Sequence, residues 1–139
     1  MHISTDPSAL NISLIHTFLS ESSPWATGIP LETVQRSIAH SLCFGGYLDG
    51  QQIAFARVVT DKATFAYLMD VFVLPAFRGR GYSRQLMEAI QQHPDLQQLR
   101  RFILVSSTAR GLYEKFGFKP PEKPETFMEI NRPGMYLSG

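Results

Sequence analysis

The chain has 139 residues, of which 44% are hydrophobic and 18% charged, and a formal net charge of +1. That length suits one globular domain, 1–139, with a real core and no room for a second. The near-neutral balance argues against a general nucleic-acid binder, and no apolar run is long enough to span a bilayer.

The first residues lack the basic, apolar and small-residue pattern of a leader, so the expected location is the cytoplasm. Met1 to Thr5 reads as a short strand and Asp6-Pro7-Ser8 as a helix start, after which Leu10, Leu14 and Phe18 share one face. A polar loop, Ser20 to Gly28, carries the only tryptophan, Trp25, as either a core anchor or the wall of a binding site. Pro30 to His40 reads as a second helix, because Leu31, Val34 and Ile38 fall on one side and Pro30 fits a first turn.

From Ser41 the period changes to that of strands. Leu42–Leu48, Gln51–Thr60 and Thr64–Leu74 are separated by Asp49-Gly50 and by Asp61-Lys62-Ala63, the punctuation of antiparallel hairpins. The third run is apolar on both faces and should lie inside the sheet. Asp70 interrupts it, and a lone carboxylate in such a strand costs free energy unless it is paired or working. Cys43 cannot form an internal disulfide, and nothing sets up a Cys–His metal site.

Pro75 should end the third strand's pairing. Gly79 and Gly81 can then turn the backbone into a helix marked by Ser83, Leu86, Met87 and Ile90. A helix opening this way points unpaired N–H groups and partial positive charge at one spot, where Arg78, Arg80 and Arg84 add formal charge. The stretch from Gly79 through Tyr82 and Ser83 to Arg84 therefore reads either as a pyrophosphate cradle or as a tight turn with solvated arginines. The Gly-Lys-Ser/Thr of a nucleoside-triphosphatase loop is missing, and so are the third glycine and downstream acid of a dinucleotide fingerprint.

The helix runs to about Gln92, where His93-Pro94-Asp95 breaks it, and Phe102–Val105 is a short buried strand. Ala109, Leu112, Tyr113 and Phe116 face one side of a last helix, with Gly117 as a left-handed cap and Phe118 packing back. Lys119–Thr126 is a proline-rich loop, and Phe127–Asn131 reads as a closing strand.

Two segments carry a resemblance. Arg78-Gly79-Arg80-Gly81-Tyr82-Ser83 behind Val73-Leu74-Pro75 resembles the acetyl-CoA loop of the GNAT superfamily of N-acetyltransferases, with Ser83 where Gly or Ala is usual. Ala109 to Phe118 resembles that family's Ala-x-x-x-Tyr-x-x-x-Gly-Phe helix. The likeness covers essentially the whole chain. It implies an α/β (α+β) fold with a mixed sheet of six to seven strands and about four helices.

Acyl transfer from acetyl-CoA to a primary amine of a small molecule or peptide is the implied activity, with no metal. By resemblance, backbone groups of Val71, Phe72 and Val73 pair with the pantetheine arm, and Tyr113 protonates the departing thiolate. Ser106 stands where many relatives place a cofactor-bonding Asn, and Arg110 where near relatives read His. Asp70 lies where the family's sheet splays and is the candidate base for the amine, ahead of Glu114 and His40. Cys43 as an acyl-carrying nucleophile is the rival mechanism. The rival function is a catalytically silent acyl-CoA-binding module that regulates or scaffolds a partner. The sequence leaves the oligomeric state open, a homodimer included.

Overall fold

A computed structural model describes residues 1–137. Five strands form one sheet in chain order: β1 (His2–Ser4), β2 (Leu42–Leu48), β3 (Gln51–Thr60), β4 (Phe65–Val73) and β5 (Arg101–Leu104). The first four are antiparallel, and β5 pairs parallel to β4. Asp49 (φ 49°) and Gly50 (φ 79°) make the left-handed pair that a two-residue hairpin needs. The β3–β4 turn is held by Asp61, whose carboxylate accepts from the N–H groups of Ala63 and Thr64 at 2.9 and 2.8 Å.

Helices cover both faces. On one lie α1 (Ile12–Thr17) and α2 (Leu31–Ala39), whose Ile15, Val34 and Ile38 pack with Cys43, Phe55 and Phe72. On the other lie α3 (Tyr82–Gln92) and α4 (Arg110–Glu114), whose Leu86, Met87, Ile90 and Tyr113 pack with Phe44, Val58 and Leu68. β2, β3 and β4 therefore send side chains into both cores, as Cys43 and Phe44 of β2 do. The final helix ends as expected: Gly117 takes φ 92°, and Phe118 returns its N–H to the Tyr113 carbonyl at 3.2 Å.

Four expectations need correction. Asp6 caps only a short 3-10 turn, Pro7–Ala9, and α1 starts afresh behind the cap Asn11. That restart rotates the apolar face, so Ile15 and Leu19 enter the core and Leu14 is only half-buried. Leu31 is exposed at the head of α2, because Val34 and Ile38 suffice to meet the sheet. Phe127–Asn131 joins no strand and lies fully on the surface, so the sheet has five strands among the described residues rather than six or seven.

Candidate active site

The register of β3 on β4 carries an irregularity at the centre of the molecule. Phe55 faces Phe72 and Arg57 faces Met69, so Ala56 alone opposes both Asp70 and Val71. The extra residue is Asp70, at φ 53°, a left-handed conformation that Asp tolerates better than most residues. On the other side of β4, pairing with β5 ends at Leu68↔Leu104. The two strands part just before the bulge, which leaves the far end of β4 open on that side.

Asp70 is not a lone carboxylate. Its Oδ2 accepts from Arg57 Nε at 2.9 Å and its Oδ1 from the Trp25 indole N–H at 2.8 Å. Arg57 spends its other nitrogens on Ser41 Oγ (3.1 Å) and Met69 Sδ (3.3 Å). Trp25 is thus no core anchor; 53% of it is exposed, and one bond tethers its ring over the bulge. Buried Ser23 fixes the loop that carries it, donating to the Leu19 carbonyl at 2.6 Å and accepting from the Ala26 N–H at 3.1 Å. Arg57 was the missed residue. A lone charged residue in its strand, one strand away from a lone, mostly buried carboxylate, was the signal that could have found it.

The glycine turn has the conformation its sequence implies. Gly79 and Gly81 sit at φ 78° and 82°, and Gly81 is the residue from which α3 starts. Gln85 is the first helical residue to reach back, to the Gly81 carbonyl, so the N–H groups of Tyr82, Ser83 and Arg84 head the helix. A Cβ added at either glycine would meet nothing within 4 Å, so the space above the turn is open. Arg80 lies over the Phe77 ring and Arg84 near Glu88, both on the surface. Arg78, also exposed, folds back along the turn, donating from Nε to the Val73 carbonyl at 2.9 Å. Leu74 donates to Ile53 of β3, so in extended chain its neighbour Val73 directs its amide pair to the open side.

Tyr113 is buried in the α3/α4 layer, its ring edge-on to Phe118. Burial raises its pKa, so the phenol stays protonated throughout the neutral range. Its hydroxyl makes no hydrogen bond among the described residues. Ser106 accepts from the Ala109 N–H at 3.0 Å and so caps the turn into α4. Tyr113, Ser106, Arg110 and Glu114 line one groove of about 700 Å³ along β5, while the glycine turn and Val71–Val73 lie outside it. Asp70 and Tyr113 belong to opposite layers, on either side of the strand opening. His40 is exposed at the end of α2. Cys43 is buried, and desolvation pushes its thiol up to about 12, which removes the thiolate that an acyl-cysteine route requires.

The fold is that of a known enzyme family, as comparison with known proteins shows. Residues 39–120, more than half the chain, match the family model described as Acetyltransferase (GNAT) domain. A crystal structure of a Xanthomonas campestris protein, described as a candidate GNAT-family acetyltransferase, superposes with a TM-score of 0.97 at 60% identity over 99% of this chain and 96% of that one. A candidate acetyltransferase of Gibberella zeae is 31% identical over 81% of this chain and 75% of its own length. A predicted acetyltransferase of Clostridium acetobutylicum, solved with acetyl-CoA, shares the fold at 18% identity and a TM-score of 0.66, covering 94% of each chain. The chain belongs to the GNAT family of acetyltransferases.

Proposed function

We propose that residues 1–139 act as one catalytic domain that transfers an acetyl group from acetyl-CoA directly to a primary amine of a small molecule or peptide, with both substrates bound together. The observation that carries this is the parting of β4 from β5 after Leu68↔Leu104, beside an open helix start framed by left-handed Gly79 and Gly81. These residues fit the donor. Space lies free above both glycines, and the heading N–H groups of α3, with Arg80 and Arg84, suit a pyrophosphate.

When bound, acetyl-CoA supplies the thioester. The chain's own contributions are four. Backbone of Val71, Phe72 and Val73 holds the pantetheine arm as an added strand, the Val73 carbonyl being satisfied by Arg78 and its N–H left to bond. The same backbone polarises the thioester carbonyl. Tyr113, kept neutral by burial, gives its proton to the departing sulfur, whose thiol pKa is about 8.5, a step worth ~10² to ~10⁴ in rate. Asp70, through the lone pairs that Arg57 and Trp25 leave free, takes the ammonium proton, and the exposed Trp25 face holds the acceptor beside it.

The silent-module reading draws on a specific observation: Asp70 is doubly engaged and Ser106 is turned to its own loop. Two measurements decide. Calorimetric titration should give CoA a clear advantage over ATP and NAD, and an equal response to all three would remove the cradle. Thiol release from acetyl-CoA over a panel of primary amines should then rise above the amine-free rate.

A further inference from the structure

We infer that the acceptor amine also carries an anionic group, a carboxylate or a phosphate, which seats beside Arg132 in the pocket that Trp25 walls while the amine faces Asp70. This rests on the transfer reading above and names its acceptor class, an amine with opposite charges at its two ends.

The pocket, of about 290 Å³, lies between the 23–28 loop and the stretch 130–137. It is close to the roughly 300 Å³ at which ligand pockets begin, room for a head group and a few carbon atoms. Both walls are held in place. Buried Ser23 anchors the loop through the Leu19 carbonyl and the Ala26 N–H, and Tyr136 packs against the core beneath α1 and α2. Gly28, at φ 82°, lets the two walls meet, since a Cβ there would lie 2.8 Å from the Tyr136 carbonyl oxygen. Leu137 donates its N–H to the Gly134 carbonyl at 3.0 Å and so closes a turn in the second wall.

Charge decides the guest. Arg132 is the one charged residue lining the pocket among those described, and its guanidinium makes no ion pair or hydrogen bond among them. Glu129, the nearest acid along the chain, does not line it. Arg57, the other cation close to Trp25, is already spent on Asp70, Ser41 and Met69. A guanidinium offers two parallel N–H groups to the paired oxygens of a carboxylate or phosphate, and Asn131 brings an amide that can donate to the same anion.

Trp25 borders both ends. Its indole N–H is bonded to Asp70, and the same residue lines the pocket, which Asp70 and Arg57 do not. An acceptor that reaches Asp70 with its amine and Arg132 with its anion therefore lies along the indole, its carbon chain against the exposed ring. Amine and carboxylate on one carbon, as in glycine, are too close together to serve both ends, so the fitting acceptor is an ω-amino acid or its phosphate counterpart. Opposite charges at the two ends also fix direction, turning the amine toward the thioester.

The test reads binding and transfer separately. Trp25 is the only tryptophan, so its emission reports what enters the pocket. Aminohexanoate, aminopentylphosphonate, aminohexanamide and glycine are titrated with and without CoA, and thiol release from acetyl-CoA is followed with each. The better of the two long anions should bind about tenfold tighter than the amide, the worth of one hydrogen-bonded charge, and glycine should bind more weakly than that anion. Which anion leads tells carboxylate from phosphate. In Arg132→Gln the preference for anion over amide should vanish, and Arg132→Lys should restore part of it. Arg132 is exposed, so the melting temperatures of both variants should match that of the wild type. Equal binding of amide and anions by the wild type overturns the proposal, as does a preference that survives in Arg132→Gln or a failure of every probe to bind. Failure of the transfer reading looks different: the anions would bind with the same preference, and no amine would release thiol.

Discussion

Asp70→Asn separates the two things that carboxylate does. The backbone is not the issue, because Asn accepts the left-handed φ of 53° nearly as well as Asp. What changes is the reception of two donors, Trp25 Nε1 at 2.8 Å and Arg57 Nε at 2.9 Å. An amide offers one oxygen and one NH2, so one donor is left facing another. If Arg57 loses, a cation only 13% exposed has lost its counter-charge. Breaking a buried pair from one side costs about 3–5 kcal/mol, and residual exposure favours the lower end, ~3 kcal/mol. For a chain of this size that is a fall in Tm of roughly 10 °C. The assay is thermal unfolding beside CoA titration and turnover. Asp70→Asn should melt roughly 10 °C lower, bind CoA as before and lose most turnover. Arg57→Ala should cost a similar amount, and the double variant less than the sum. An unchanged melting temperature in both single variants would mean that the Arg57–Asp70 pair does not stabilise the fold, and unchanged turnover would refute the base.

Three further outcomes are expected. Tyr113→Phe should keep CoA binding and lower turnover by ~10² or more, and full activity would leave the sulfur's proton to water. Gly81→Glu should abolish CoA binding; because φ is 82°, it also adds strain of ~1–3 kcal/mol, so Gly81→Asn, which tolerates that φ, is the control and should bind measurably. Unchanged affinity in a folded Gly81→Glu would dismiss the cradle. Cys43 should resist alkylation in the native state. Its raised pKa favours folding below the unfolded value of 9.0, so stability falls as pH climbs from there toward about 12, and Cys43→Ala should flatten that decline.

The sequence made the local grammar legible where one residue type answers one steric demand. Asp49-Gly50, Gly79, Gly81 and Gly117 all take the left-handed angles their positions implied, and β2 and β3 run between the residues that the alternation marked. It was less informative where the outcome depended on a distant partner. The burial of Asp70 was readable, but its ion pair required knowing that Arg57 lies opposite Met69 across a bulge, which the period-two pattern conceals. Trp25 could be anchor or wall until the bulge gave its indole an acceptor. Phe127–Asn131 has the composition of a strand, but pairing needs a neighbour, and no neighbour within the described residues supplies one.

Following free thiol and acetylated amine together, with acetyl-CoA and a panel of primary amines, decides whether the chain catalyses acetyl transfer. At least one amine is expected for which thiol appears well above the amine-free rate, in step with one acetylated product per thiol, and for which Tyr113→Phe is slow despite binding CoA. CoA binding without amine-dependent thiol release anywhere in the panel would contradict that expectation and leave the chain as an acyl-CoA-binding module.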